Sequence, residues 1–218
     1  NKVWGSLNYF NRRQVDLLGN YNVAVPPYLF NETFVNVGTM RNTGFEFDLH
    51  WNAVDTNDFS YETGVLGSTM SNQFESFSNS EYVAQKYYNA VDTEAPFPYY
   101  QLQRVEEGRR IGSFYMWKYA GNDLGGNWLI YDKDGDIVKA SQGTYEDRQY
   151  VGNGLPKFTG SMTHNFRYKN FDLSLFFRGA FGFHLFNIHD FYYGTRNFTG
   201  NRLDKAYGKN FSISPDAN

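Results

Sequence analysis

Hydrophobic and polar side chains alternate along much of the chain, a pattern that predicts β-strands with one apolar and one polar face. The clearest case is residues 158–181, where two alternating runs flank a Lys169-Asn170 turn. Two further runs, at residues 43–51 and 59–71, flank a tight turn from Asp55 to Asp58. Single strands are also predicted at residues 2–12 and 110–119. We therefore expect neighbouring antiparallel strands joined by short turns.

The lengths of the strands and of their connections suggest where these strands lie. The predicted strands have about 9 to 14 residues, whereas soluble strands usually have about 5 to 6 and tilted membrane strands need about 9 to 11. Long polar segments at about 72–107, 120–156 and 187–218 are interpreted as external loops. Short turns at one end and long loops at the other are typical of outer-membrane barrels. The sequence thus predicts an all-β antiparallel transmembrane β-barrel, with a soluble antiparallel sandwich as the alternative.

In such a barrel the apolar face would contact lipid and the polar face would line a water-filled lumen. The predicted lipid-facing residues are Phe45, Phe47, Leu49, Trp51, Met162, Phe166, Leu173, Leu175 and Phe177. The predicted lumen-facing polar residues are Asn165, Arg167, Asp172 and Arg178.

Composition removes several other classes. Phe, Trp and Tyr make up 20% of the 218 residues, yet no apolar run is long enough for a transmembrane helix. A net charge of -3 leaves no basic footprint, so nucleic acid is not an expected partner. Because the chain has no cysteine, disulfides, thiol catalysis and thiolate metal sites are excluded.

Motifs for catalysis or metal binding are weak. Asp132, Asp134 and Asp136 suggest a calcium loop, but Ile137 and Gly143 stand where an EF-hand needs Gly and Glu. We therefore expect a chain-reversing Asp-Gly turn, with a cation as the lesser alternative. Glu46 and Asp48 share a strand face about 7 Å apart, which is poor evidence for a glycosidase pair. No enzymatic activity and no cofactor are expected.

A tyrosine-rich segment offers a candidate binding surface. Flat rings with nearby amides suit stacking on sugar faces and hydrogen bonding to hydroxyls. The same rings could instead pack against a partner protein or against the segment itself. The candidate substrate-binding residues are Tyr87, Tyr88, Phe97, Tyr99 and Tyr100.

Five stretches, in order along the chain, resemble the C-terminal part of SusC/RagA-type TonB-dependent outer-membrane transporters. They are NVGTMRNTGFEFDL (36–49), IGSFYMWKYAG (111–121), YDKDGDI (131–137), VGNGLPKFTGSM (151–162) and YKNFDLSLFFRGAFGFHLFN (168–187). The ordered series is specific, although each piece alone is weak.

The resemblance implies a 22-strand barrel closed by a plug domain, in the outer membrane of a Gram-negative bacterium. It implies a SusD-type surface lipoprotein as a lid, energy from the TonB complex, and a glycan, oligosaccharide or peptide as cargo. Of these cargoes we favour glycan. Alternatives are a carbohydrate-binding β-sandwich without transport activity, and a passive pore that needs neither TonB energy nor a lipoprotein.

The chain is expected to be one partial barrel domain over residues 1–218. It contains no recognisable plug or TonB box, and roughly six to eight candidate spanning strands are too few for a barrel of that size. A complete eight-stranded barrel is the competing interpretation.

Overall fold

The computed structural model describes residues 2–23, 25–78, 86–92, 101–194 and 200–207. The chain forms two compact units. Unit 1 comprises Asn1–Tyr87, Glu106–Ile111 and Leu155–Phe183, and unit 2 comprises Tyr88–Val105, Gly112–Gly154 and His184–Asn218. Within the described ranges, no helix is both long and apolar enough to cross a membrane.

Antiparallel strands dominate the described residues, which supports the predicted all-β fold class. In chain order the strands are β1 (Val3–Asn22), β2 (Glu32–Asp55), β3 (Phe59–Ser76), β4 (Tyr87–Asp92), β5 (Gln101–Glu106), β6 (Ser113–Met116), β7 (Lys118–Asn122), β8 (Trp128–Tyr131), β9 (Ile137–Lys139), β10 (Gln149–Asn153), β11 (Phe158–Tyr168) and β12 (Phe171–Phe181). A short helix, α1 (Ile188–Tyr193), begins after Asn187, whose side chain accepts a hydrogen bond from the Asp190 amide.

Unit 1 is built on a five-stranded sheet with the order β1-β2-β3-β11-β12. All four strand pairs in it are antiparallel. The turn between β2 and β3 is closed by Thr56, whose amide donates to the Phe59 carbonyl over 2.8 Å. The turn between β11 and β12 is the predicted Lys169-Asn170 pair, in which Lys169 takes a positive φ of 51°.

This sheet has almost no buried core of its own. Among its described residues, those classed as buried are glycines: Gly38, Gly44, Gly64 and Gly67. Large apolar side chains instead stand exposed along β2, β11 and β12. A folded soluble domain rarely exposes so large an apolar surface, so this surface is suited to an apolar environment supplied from outside the described residues.

Unit 2 carries short strands and most of the buried apolar side chains. Its sheets have the orders β10-β6-β5-β4 and β7-β8-β9. The buried residues Leu102, Val105, Phe114, Leu129 and Ile130 are each at most 8% exposed. Unit 2 therefore packs like a water-soluble structure around a small core.

The strands differ from the sequence-based expectation in two respects. First, β1, β2 and β3 have 20, 24 and 18 residues, so they extend beyond the runs expected at 2–12, 43–51 and 59–71. Second, the segments interpreted as loops at 72–107, 120–156 and 187–218 contain β4, β5, β8, β9, β10 and α1. The single strand expected at 110–119 is divided at Trp117 into β6 and β7, which belong to different sheets.

Candidate functional site

The register of the five-stranded sheet separates the side chains into two faces. Residues directly opposite each other in neighbouring strands project to the same face. One row across the sheet is Gly5, Leu49, Val65, Met162 and Phe177. The row beside it on the opposite face is Trp4, His50, Gly64, Thr163 and Phe176. We name these the apolar face and the polar face.

All predicted lipid-facing residues lie on the apolar face by this register: Phe45, Phe47, Leu49, Trp51, Met162, Phe166, Leu173, Leu175 and Phe177. The four predicted lumen residues, Asn165, Arg167, Asp172 and Arg178, lie together on the polar face, where Asn165 pairs with Ser174 and Arg167 with Asp172. The structure thus brings each predicted set onto one surface. Their contact with lipid or with cargo stays a prediction.

A recess of about 390 Å³ opens on the sheet. It is lined by hydroxyl, amide and charged side chains of the polar face and also by apolar positions, which are Phe47, Leu66, Gly67 and Gly160. The lining polar residues are Ser6, Asn8, Glu46, Asp48, Ser68, Thr159, Ser161 and Arg178. These polar residues offer neutral hydrogen-bond donors and acceptors, two carboxylates and one guanidinium group to a hydroxyl-rich or amide-rich molecule.

Asp48, one of the two carboxylates of the recess, lies beside two stacked aromatic rings. The Asp48 Oδ1 atom lies 2.8 Å from His50 Nε2. The His50 ring in turn stacks on Trp4, with 5.3 Å between centroids and 5° between planes. His50 therefore holds a fixed position beside the carboxylate, on the face that carries the recess.

His164 is a polar residue on the apolar face, and its hydrogen-bond partner lies on the same face. The His164 Nδ1 atom lies 2.8 Å from the Tyr61 hydroxyl. The Tyr61 ring also stacks on Phe166 at 4.6 Å. A polar side chain in lipid is costly unless it is hydrogen-bonded, so this pair makes His164 compatible with an apolar surrounding.

Replacing Tyr61 with phenylalanine tests that pairing. The Tyr61→Phe change leaves the ring and removes the partner of His164, so the free energy of unfolding in lipid vesicles should fall by about 1–2 kcal/mol. The matched control is Tyr9→Phe on the same face, because no side-chain hydrogen bond of Tyr9 is found within the described ranges. Equal losses in the two variants would contradict the assigned role.

Unit 2 contains an aromatic and basic cluster that the sequence did not reveal. Arg104, only 7% exposed, lies over the Tyr115 ring with 3.6 Å from Cζ to the centroid. Its Nη2 donates to the Tyr145 hydroxyl over 2.8 Å, and its Nε donates to Asn89 Oδ1 over 3.2 Å. The Asn89 amide also donates to the Tyr145 hydroxyl over 2.8 Å.

These contacts change the acidity of Tyr145. Burial acts to raise the pKa of the phenol, but the hydrogen bonds from Asn89 and Arg104 outweigh it and the pKa is lowered. Arg148 adds a second cation, 4.6 Å from the ring centroid. The cluster joins residues 89, 104, 115 and 145, whose separation along the chain hides it from any local motif.

The other sequence candidates fall at separate places. Tyr87 and Tyr88 lie in β4, where burial raises the pKa of Tyr88. Phe97, Tyr99 and Tyr100 lie outside the described residues. These assignments as substrate contacts stay predictions.

The Asp132–Asp136 segment forms the turn between β8 and β9. Asp132 Oδ1 accepts hydrogen bonds from the amides of Asp134 and Asp136, each over 2.9 Å, and Gly135 has a φ of +92°. Within the ranges that the structure describes, no group of three acidic, histidine or cysteine side chains is placed to hold a metal ion. The aspartates therefore act here as turn residues.

Comparison with known proteins links this sheet to a family. No family model matches the chain. It is 30% identical over 202 residues to TonB-dependent receptor P3 of Formosa agariphila, covering 86% of this chain and 19% of that protein. It is 22% identical over 181 residues to TonB-dependent receptor SusC of Bacteroides thetaiotaomicron, covering 82% and 18% of the two chains.

The chain is a homologue of the TonB-dependent receptors. Its fold agrees: a solved structure of the RagAB peptide transporter superposes with a TM-score of 0.64 at 23% identity, over 84% of this chain and 19% of that one. TonB-dependent receptors are outer-membrane β-barrel proteins of Gram-negative bacteria. The five-stranded sheet of this homologue therefore has the fold of a stretch of β-barrel wall.

The chain spans about a fifth of the length of the curated relatives it matches. Those relatives are receptors and transporters, which are not enzymes.

Proposed function

We propose that this chain forms part of the barrel wall of a TonB-dependent outer-membrane importer of glycans or oligosaccharides. The observation that carries the proposal is the division of one sheet into an apolar face and a polar face with a recess. The homology to TonB-dependent receptors supports import driven by the TonB complex rather than passive flow.

In this proposal the chain contributes one part of a larger machine. The apolar face holds the wall in the membrane, and Arg167, Asp172, Arg178 and Asn165 line the passage. A plug supplied by residues outside this chain gates it and receives energy from TonB. The segments at 72–107, 120–156 and 187–218 hold a SusD-type surface lipoprotein and help to select cargo.

Glycan is the favoured cargo because hydroxyl and carboxylate groups line the recess beside Arg178. Sugars offer many hydroxyls to such groups, and rings such as those of Tyr87 and Tyr88 suit stacking on sugar faces. Peptide is the second candidate because a protein named as a peptide transporter shares the fold.

The test uses the source bacterium with the full-length gene intact or deleted. Uptake of fluorescent neutral and acidic oligosaccharides and of peptides of similar mass would be measured with and without a protonophore. We expect loss of oligosaccharide uptake on deletion and equal loss when the proton gradient is abolished. Peptide uptake alone would refute the glycan assignment, and uptake that persists without the gradient would indicate a passive pore.

The partner is tested separately. Full-length transporter extracted from outer membranes in mild detergent should copurify with a surface lipoprotein in a stoichiometric amount, as measured by mass spectrometry. Recovery of the transporter alone, under conditions that preserve its uptake activity after reconstitution, would contradict the proposed lid.

A further inference from the structure

Two arginines interrupt the apolar face about half-way along β1 and β2, beyond the point where β11 and β12 end. Along β1 and β2 the opposite pairs on this face run from Leu7 with Phe47, through Tyr9 with Phe45 and Asn11 with Thr43, to Arg13 with Arg41. The face thus changes from apolar at the Tyr9–Phe45 pair to charged at the Arg13–Arg41 pair, with one polar pair between them.

A single carboxylate holds both guanidinium groups. Arg13 Nε donates to Glu75 Oε2 over 2.6 Å, and Arg41 Nε contacts Glu75 Oε1. Arg41 Nη1 also reaches Asn11 Oδ1 at 3.4 Å. Because Glu75 engages the Nε atoms, the two terminal nitrogens of Arg13 and one of Arg41 keep N–H groups directed away from the carboxylate.

The site has a net positive charge. Within the described residues, Glu75 is the carboxylate in ion-pair contact with either arginine, so two cations face one anion. The side chains of Arg13 and Arg41 are 56% and 36% exposed, while that of Glu75 is 22% exposed. The anion lies beneath and the cations lie outermost, which favours a second anion on the outer side.

The height of the pair relative to the apolar rows matches a lipid headgroup. Arg13 follows Tyr9 by four residues, or about 13 Å along a strand. With a strand tilt near 45° this is about 9 Å beyond the last aromatic row. Headgroups occupy about that depth outside the hydrocarbon core, and arginine side chains near the boundary extend to reach them.

The position of the two arginines along the strands indicates in which leaflet of the outer membrane they lie. β2 and β3 are joined near Trp51 by the tight Thr56–Asp58 turn, whereas the pair lies towards the end where β1 and β2 are joined by residues 23–31. In outer-membrane barrels the short turns face the periplasm and the longer loops face outward. The arginines are therefore at the outer leaflet.

We propose that Arg13 and Arg41, braced by Glu75, bind the phosphate of a phosphorylated outer-leaflet lipid. Paired guanidinium groups offer planar forks of N–H donors that match the oxygens of a phosphate. The interaction would fix the barrel wall in its lipid surroundings. It depends on the membrane placement of the sheet and not on which cargo is imported.

The experiment measures lipid A binding by the full-length transporter in neutral detergent. Its probes are lipid A and dephosphorylated lipid A, which share acyl chains and differ in the phosphate. The variant is Arg13→Gln with Arg41→Gln. A first control is Arg12→Gln, because Arg12 is adjacent to Arg13 but lies on the polar face, opposite Asn42. A second control is the double change Arg12→Gln with Arg109→Gln, which removes the same total charge.

Wild type should bind lipid A at least about tenfold more tightly than the dephosphorylated form, and the double variant should lose about that factor. Neither control should change the affinity more than about twofold. Equal binding of the two lipids by wild type would overturn the proposal without any variant, even if Arg13→Gln with Arg41→Gln failed to fold. Unchanged lipid A binding by that folded variant, or an equal loss in the double control, would overturn it too.

Discussion

Replacing Leu49 with arginine should lower the free energy of unfolding of the full-length transporter in lipid vesicles by about 2–4 kcal/mol. Leu49 lies in a middle row of the apolar face, between Gly5 and Val65, and is 51% exposed. An arginine there would place a charge near the centre of the bilayer, where its solvation is poorest. The measurement is urea unfolding from vesicles, followed by tryptophan fluorescence.

The matched control is His50→Arg, one residue further along the same strand and on the polar face. There the new guanidinium would lie near Asp48 and Trp4, so the loss should be below about 1 kcal/mol. Similar losses in both variants would mean that the two faces do not differ in their surroundings, which contradicts the assignment of faces.

Replacing Arg104 with leucine should destabilise unit 2 by about 3 kcal/mol, because it removes two hydrogen bonds of a charged donor and its stacking on Tyr115. Because about 1.4 kcal/mol corresponds to a factor of ten, the amide hydrogens of β5 should exchange with deuterium about a hundredfold faster. The full-length transporter in detergent would be analysed by hydrogen exchange and mass spectrometry.

Arg148→Leu serves as the control, because Arg148 contacts the same Tyr145 ring from a half-buried position. Loss of one partly exposed cation–π contact should cost about 0.5–1 kcal/mol, or less than about tenfold in exchange. If β5 exchanged no faster in the Arg104 variant, or equally fast in both, the buried cluster would not stabilise this unit.

The faces of the sheet could be predicted because period-2 alternation is a local property. Phe45 to Trp51 and Phe158 to Tyr168 alternate where one face is apolar, and these strands pair in the register that keeps their faces together. The same signal ends where both faces carry polar side chains. The sequence therefore predicts that β3 ends near Asn72, although the strand continues to Ser76, with Arg41 and Glu75 in contact across the strands.

The short strands of unit 2 are largely missed from the sequence for a related reason, although β6 lies within the single strand predicted at 110–119 and β7 begins in it. β4 to β10 have three to six residues each, too few for alternation to be distinguished from loop composition. They are specified by long-range packing instead. Trp117 Nε1, for example, donates to the Thr144 carbonyl over 2.8 Å at the point where β6 gives way to β7.

The candidate sites also divide into those that local alternation predicts and those that depend on long-range contacts. Membership of Arg167 and Arg178 in a polar face followed from spacing alone, whereas the Arg104–Tyr145 contact joins residues 41 apart in sequence. The Arg13–Glu75 ion pair joins residues 62 apart. Neither contact has a local motif, because each depends on strand pairing that the chain establishes only on folding.

The most direct test of the membrane-wall assignment is a nitroxide scan of residues 45–51 in the full-length transporter in a lipid bilayer. This chain contributes no native cysteine to complicate the labelling. Labels at 45, 47, 49 and 51 should collide mainly with oxygen dissolved in lipid, and labels at 46, 48 and 50 mainly with a water-soluble nickel chelate. Odd positions shielded from both reagents would contradict the account, because they would show the apolar face packed against protein, as in a soluble sandwich.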